Sequence, residues 1–183
     1  MNLYLWLVII SMVCAGLQFE PLSSAAAWQL SAIQHGQWWR ILTGNFTHTN
    51  FAHLAMNLAG LWLISYIFKP TVRLLLSALV LISLWVGIAL LMTDMSSYVG
   101  LSGTLHGLFA CFALQEARQG RRSSWLLVAG VLAKVIWEQC YGSSLGTEAL
   151  IQARVATEAH LAGVLGGLLL AMVNQRQCPS ITE

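Results

Sequence analysis

Six apolar runs, at about residues 2–19, 50–68, 72–92, 97–115, 124–141 and 157–174, limit this chain more than any other feature. A membrane-crossing helix needs roughly 20 mainly apolar residues, because each residue advances about 1.5 Å through a hydrocarbon core about 30 Å thick. Each run is close to that length. Charged residues make up 9% of the 183 positions, where a soluble domain carries about 25%. The expected fold is therefore an all-α integral membrane protein: one domain over residues 1–183 with six transmembrane helices. Short connections leave no room for a separate soluble domain. A net charge of +2 gives no reason to expect nucleic acid as a partner.

Six spans place both termini on one side, and the basic residues say which. With the N-terminus inside, Lys69, Arg73, Arg118, Arg121, Arg122 and Arg176 fall on the cytoplasmic side, and Arg40 and Arg154 on the other. Both termini are thus expected in the cytoplasm. The first loop (about 20–47) and the loops before Ser102 and His160 are expected outside. Loop one carries "GQWWRILTGNFTHTN". Its Trp38 and Trp39 suit an interfacial aromatic belt, so an amphipathic loop lying on the membrane surface is expected. In "KPTVR", Pro70 marks a tight break between the second and third runs. No Lys or Arg occurs in the first 39 residues, and Val13 is bulky for a lipoprotein signal before Cys14, so the first run is expected to remain as a span. Cys14, Cys111, Cys140 and Cys178 show no CxxC or zinc-type spacing and are expected to be unpaired.

Polar residues inside such runs are costly, which makes them functional candidates. In "HTNFAHLAMN", His53 and Asn57 share a helix face, with His48 just above. They could bond a neighbouring helix or aim N–H donors at a common point. In "YVGLSGTLHGLF", Gly100 and Gly103 strip bulk from around Ser102. That suits close helix packing, and equally a hydroxyl beside the free N–H groups of a helix start. Thr104 stands where a GxSxG elbow would have its second glycine. In "ATEAHLAGVLGG", His160, Gly163 and Gly167 share a face, and the glycines form a close-approach GxxxG. Lys134 and Glu138 read as an i,i+4 ion pair or, less plainly, a proton relay. Glu158 is two residues from His160 and points elsewhere; His35 reads as solvated. The histidines fall on three runs with no carboxylate at ligand spacing, so no metal site is expected.

Taken singly, these sites fit packing. Taken together, Ser102, His160, His53 and Asn57 sit toward the outward ends of their runs. Ser102 lies about seven residues past Asp94, roughly 10 Å deep if that stretch is helical. One water-filled pocket could then hold a serine nucleophile, a histidine base and two oxyanion donors.

In that order and on those runs, the pieces resemble the rhomboid family of intramembrane serine proteases. They are Trp39-Arg40, His53-x-x-x-Asn57, Gly100-x-Ser102-Gly103 and Ala159-His160-x-x-Gly163-x-x-x-Gly167. The resemblance implies a six-helix rhomboid-like bundle and a Ser102–His160 dyad without the orienting Asp of a soluble triad; no cofactor is expected. It implies an oxyanion hole of His53, Asn57 and the Ser102 N–H. Gly100, Gly103, His106, Gly163 and Gly167 would support the helix packing, and Trp39 and Arg40 the structure of loop one. Many rhomboids carry tyrosine four residues after the serine; here it is His106, and "GLSGTLHG" looks like the rhombosortase branch. That branch is associated with bacterial proteins that end in Gly-Gly, a hydrophobic span and a basic tail. The resemblance then implies an enzyme of the bacterial inner membrane, opening to the periplasm, that cuts membrane-anchored substrates near the Gly-Gly through an acyl-enzyme. Water or an acceptor amine would resolve it. Alternatives are a general rhomboid protease without Gly-Gly preference, a non-catalytic rhomboid-like binder of membrane clients, and an unrelated six-span transporter. The transporter would require internal repeats that are not visible.

Overall fold

Each of the six apolar runs contains one long helix. The structure, a computed structural model, describes residues 2–173; Arg176, Cys178 and residue 174 of the last run lie outside the described residues. Helix α1 (Leu3–Gly16) starts at Asn2, whose side chain accepts from the Tyr4 amide at 2.9 Å. Loop one then holds α2 (Leu22–Ala26), β1 (Trp28–Gln29), α3 (Leu30–Gln34), α4 (Arg40–Thr43) and a 3₁₀ turn at Gly44–Phe46. Helix α5 (Phe51–Phe68) is capped by Asn50, which accepts from the His53 amide at 2.8 Å. It ends where Lys69 takes a left-handed conformation before Pro70. Thr71 caps α6 (Val72–Ala89), which runs on as a 3₁₀ turn to Met92. After β2 (Ser97–Tyr98) come α7 (Ser102–Arg118), α8 (Ser124–Tyr141), α9 (Leu145–Ile151) and α10 (Thr157–Val173).

One expectation is corrected here. Residues 97–101 are not helical: β2 pairs antiparallel with β1, Trp28 opposite Tyr98 and Gln29 opposite Ser97. Ser102 is therefore the first residue of α7, and a depth counted at helical rise from Asp94 does not apply. The stretch mimics a span in sequence because Tyr98 and Leu101 are apolar, but they are buried by packing against the rest of the protein. Loop one, in turn, is ordered by contacts with the helices. Trp28 is fully buried and its Nε1 donates to the Gly87 carbonyl at 3.0 Å. The buried Arg40 donates to the carbonyls of Ser24 (2.8 Å) and Ala27 (2.6 Å) and to Gln37 Oε1 (2.7 Å). Trp38 and Trp39 stay exposed, and Trp39 Nε1 donates to the Ala25 carbonyl at 3.1 Å.

The bundle centres on α7, which packs most closely on α10. A Cβ on Gly163 or Gly167 would run into the carbonyl oxygen of Gly103 or Gly107, and one on Gly103 would lie 2.8 Å from the Ala159 carbonyl oxygen. Backbone thus meets backbone, the contact that small residues allow. Beside it, Thr104, fully buried, donates to Asn45 Oδ1 at 3.1 Å and lies 3.0 Å from Ser83 Oγ. Asn45 Nδ2 donates to the Ser83 carbonyl at 3.1 Å. This network ties loop one to α6 and α7.

Two helices, Phe51–Phe68 and Val72–Met92, are long and apolar enough to cross a membrane, with mean hydropathies of 1.5 and 2.7; Leu3–Gly16 and Thr157–Val173 are shorter apolar helices. The outer surface is apolar as well. Leu126, Ile136 and Trp137 of α8, and Leu165 and Leu169 of α10, are exposed. Apolar faces of this extent, outside as well as inside, suit lipid rather than water.

Candidate active site

The N-terminal ends of α5, α7 and α10 converge, and each delivers one polar side chain within its first four residues. These are His53, Ser102 and His160. Helix N-termini carry unsatisfied N–H groups and a partial positive charge, so their convergence favours negative charge at this point. Helix α8 meets them with its C-terminal end, bringing Glu138.

Ser102 Oγ lies 3.0 Å from His160 Nε2. On the other side of the ring, His160 Nδ1 lies 2.8 Å from Glu138 Oε2, and Glu138 Oε1 accepts from Lys134 Nζ at 2.6 Å. A carboxylate ion-paired with lysine can only accept, so Nδ1 carries the proton and Nε2 presents a lone pair to the serine hydroxyl. The Lys134–Glu138 pair is thus present, and Glu138 makes a second contact, with His160, that the sequence did not disclose. No Asp attends His160 at helical spacing, as expected from the sequence, but an acid from another helix does. Glu158 does point elsewhere, pairing with Arg154 at 2.7 Å.

His106 lies one turn below Ser102. Its ring stacks on His160 at a centroid distance of 4.1 Å and an interplanar angle of 18°. Its Nδ1 donates to the Ser102 carbonyl at 2.7 Å. His106, Glu138 and His160 place their ligand atoms within 4.8 Å of one another, so histidines and a carboxylate do cluster, contrary to the sequence reading. The carboxylate comes from a different helix, which residue spacing does not reveal. Two imidazoles stacked this nearly parallel cannot both aim an in-plane lone pair at one ion, so the cluster fits hydrogen bonding better than metal ligation.

His53 and Asn57 stand on the opposite wall. His53 Nδ1 lies 3.1 Å from Thr49 Oγ1, and the Thr49 amide points at the same nitrogen from 3.5 Å. Asn57 Nδ2 uses one hydrogen on the His53 carbonyl at 3.1 Å. Gly100 sits between this pair and Ser102 at φ +120°, a left-handed conformation that favours glycine. Its carbonyl accepts from the Tyr98 hydroxyl at 2.5 Å; burial raises that hydroxyl's pKa well above the usual range, so it remains a donor. His48, buried outside the helix, packs its ring edge-on against His53 at 5.1 Å, and neither of its ring nitrogens has a hydrogen-bond partner among the described residues. Burial, with His53 beside it, pushes His48 down to about 3.

A cavity of about 800 Å³ opens over these groups, lined by Thr49, His53, Asn57, Ser102 and His160, with α9 on its rim. Helix α9 is strapped across the site: Thr49 Oγ1 donates to the Ile151 carbonyl (2.7 Å) and Asn50 Nδ2 to the Leu150 carbonyl (3.0 Å). Within the strap, Glu148 accepts from Ser143 Oγ at 2.6 Å and from the Val155 amide at 3.3 Å, contacts that lower its carboxyl pKa. A second, mainly apolar cavity of about 420 Å³ reaches Ser102 from the side, between α5 and α8, past Leu105, Phe109 and Val131.

Sequence reasoning named Ser102, His160, His53, Asn57 and His106, and the fold brings them to one place. It missed Thr49, Tyr98 and the contact of Glu138 with His160. For Glu138 a signal existed: an acid in an apolar helix needs a reason, and an exposed lysine one turn away is a weak one.

Apolar helices around an internal serine–histidine contact define the class, a helical membrane protein with a buried polar site. The Rhomboid domain family matches residues 35–177, most of the chain, and the protein belongs to that family. It is also 24% identical over 153 residues to "Putative rhomboid protease YdcA" of Bacillus subtilis (strain 168), across 77% of this chain and 69% of that protein. Rhomboid-family proteins are membrane-embedded, are generally intramembrane serine proteases and act on membrane proteins.

Proposed function

We propose that this protein is an intramembrane serine endopeptidase of the rhombosortase type. The observation that carries the reading is the 3.0 Å contact between Ser102 Oγ and His160 Nε2, in a cavity shared with His53 and Asn57. The Ser102 hydroxyl proton passes to His160 Nε2 as Oγ attacks the scissile carbonyl carbon, and the carbonyl electron pair becomes an oxyanion. The Ser102 amide, free at the start of α7, donates to that oxyanion together with His53 and Asn57. His53 turns Nε2 toward the Gly100 side, and it donates to the oxyanion in the tautomer that carries the proton on Nε2. Collapse breaks the C–N bond, and the leaving amine takes the proton from His160. Water, or an acceptor amine, then attacks the acyl-enzyme and returns the proton along the same path.

The substrates are membrane-anchored proteins with a Gly-Gly junction, a hydrophobic span and a basic tail. A peptide bond within a helix is shielded from attack. Each glycine costs a helix about 1 kcal/mol relative to alanine, so Gly-Gly unwinds readily at the site. The apolar side cavity suits a segment arriving from lipid. All six long helices cross the bacterial inner membrane, both termini are cytoplasmic by the distribution of basic residues, and the site opens to the periplasm.

The test is cleavage, in membranes, of a reporter anchored through a Gly-Gly junction. Ser102→Ala and His160→Ala each abolish it at normal expression; cleavage that survives Ser102→Ala excludes the mechanism. Equal cleavage after Gly-Gly is replaced by Leu-Leu leaves a general rhomboid protease. Absence of Ser102-dependent fluorophosphonate labelling points instead to a non-catalytic binder of membrane clients.

A further inference from the structure

We infer that Glu138 is a positioning residue for the reaction, acting through His160 in a Lys134–Glu138–His160–Ser102 relay of hydrogen bonds. The inference rests on the reading of Ser102 and His160 given above. Three contacts in series carry it: Lys134 Nζ to Glu138 Oε1 at 2.6 Å, Glu138 Oε2 to His160 Nδ1 at 2.8 Å, and His160 Nε2 to Ser102 Oγ at 3.0 Å; His106 stacks on the His160 ring at 4.1 Å. His160 and Glu138 are nearly buried, with side-chain exposures of 5% and 11%, whereas Lys134 is half exposed at 50%.

Each contact has a distinct effect. Glu138 fixes the His160 tautomer, because a carboxylate accepts only from Nδ1–H and so leaves Nε2 free to take the serine proton. It also sets the ring's rotation about its Cβ–Cγ bond, which the stacked His106 alone leaves free to slide. When His160 becomes imidazolium, the carboxylate 2.8 Å away stabilises the new charge. Lys134 occupies the other carboxylate oxygen and so holds Glu138 ionised and aimed. No proton leaves Nδ1 during the cycle.

The lysine makes the proposal sharply testable. In Glu138→Gln the side-chain amide has one acceptor and one donor end. Lys134 is a donor, so the amide oxygen turns toward it and the NH₂ faces His160 Nδ1. That forces the proton onto Nε2, where it blocks the serine. Adding Lys134→Met removes the competing donor, and the amide oxygen can turn to accept from Nδ1–H. A purely structural Glu138 would give no such rescue.

The experiment measures kcat and KM on the anchored reporter, with the fluorophosphonate labelling rate of Ser102 as a second readout. Expected for Glu138→Gln is a fall in kcat and labelling of about 10²- to 10⁴-fold, the scale on which a wrong tautomer acts, with KM nearly unchanged. Lys134→Met/Glu138→Gln recovers at least about tenfold of that loss. Wild-type kcat in Glu138→Gln, or no recovery in the double variant, overturns the inference. If Glu138→Gln does not accumulate, the double variant carries the test: turnover above the His160→Ala background supports the relay and turnover at background refutes it. Failure of the underlying reading is separate, since it shows as activity in Ser102→Ala.

Discussion

Gly100 is held against the ring of His53: a Cβ built on it would lie 2.7 Å from Cε1 and 2.8 Å from Nε2. The positive φ at Gly100 adds a second constraint, since holding an L side chain there costs of order 1–3 kcal/mol. Gly100→Ala is expected to push His53 off its Thr49 contact, to lower reporter cleavage by at least about tenfold, and to lower the thermal midpoint in detergent. Wild-type cleavage at an unchanged midpoint would mean that the His53 ring moves aside freely and that its position has no bearing on turnover.

The opposite wall makes a separable prediction. His53→Ala and Asn57→Ala each remove a donor aimed at the proposed oxyanion, and losing one such donor typically costs about 10²- to 10³-fold in kcat. Both variants should retain Ser102 labelling in proportion to their residual turnover. If either variant turns over at the wild-type rate, that residue belongs to helix packing alone.

His106 stacks on His160 and donates to the Ser102 carbonyl. A tyrosine ring can keep the stacking but not that hydrogen bond. His106→Tyr is therefore expected to stay within about tenfold of wild type, and His106→Ala to fall further, because a net hydrogen bond contributes about 1 kcal/mol while the missing ring leaves a cavity beside the base. A folded but inactive His106→Tyr would assign the decisive role to the hydrogen bond.

What could be read from the chain follows from the range of each interaction. Helix α8 (Ser124–Tyr141) coincides with its apolar run because run length is a local property. Ser102, His53, Asn57 and His160 stood out because polar groups are exceptions in apolar runs. The Glu138–His160 contact was not legible, since Lys134 one turn away already accounted for the acid and nothing in the spacing points across to another helix. Residues 97–101 read as span for a related reason. Tyr98 and Leu101 are apolar, and only the pairing of β2 with the distant β1 makes them a buried strand and turn. Loop one hid its order in the same way: Trp28 is buried by Gly87 and Tyr98, which its own neighbours in sequence do not indicate.

The buried triad of Asn45, Ser83 and Thr104 predicts a stability effect without a chemical one. Thr104→Val keeps the shape but leaves Asn45 Oδ1 without its donor, and an unsatisfied buried acceptor costs about 1–3 kcal/mol. The thermal midpoint should fall while kcat of the folded fraction stays near wild type. A large loss of kcat at unchanged stability would show instead that the network positions Ser102 from below.

His48 contributes to the pH dependence. Its ring is pushed down to about 3 in the folded protein, by burial first and by His53 second, from an ordinary value of 6.5. Between those values the unfolded chain holds a proton that the folded chain does not, so stability rises with pH across the window and is lost as pH falls below about 6.5. One such group sets a slope of up to about 1.4 kcal/mol per pH unit. The lowered carboxyl of Glu148 acts in the same direction, but only below its ordinary value of 4.5, leaving the upper part of the window free of it. His48→Phe keeps a ring edge-on to His53 and cannot titrate. Its thermal midpoint in detergent should therefore drop less than that of the wild type between pH 6.5 and pH 5. Parallel declines of the two proteins would show that His48 exchanges protons with solvent without unfolding and does not set the acid limit.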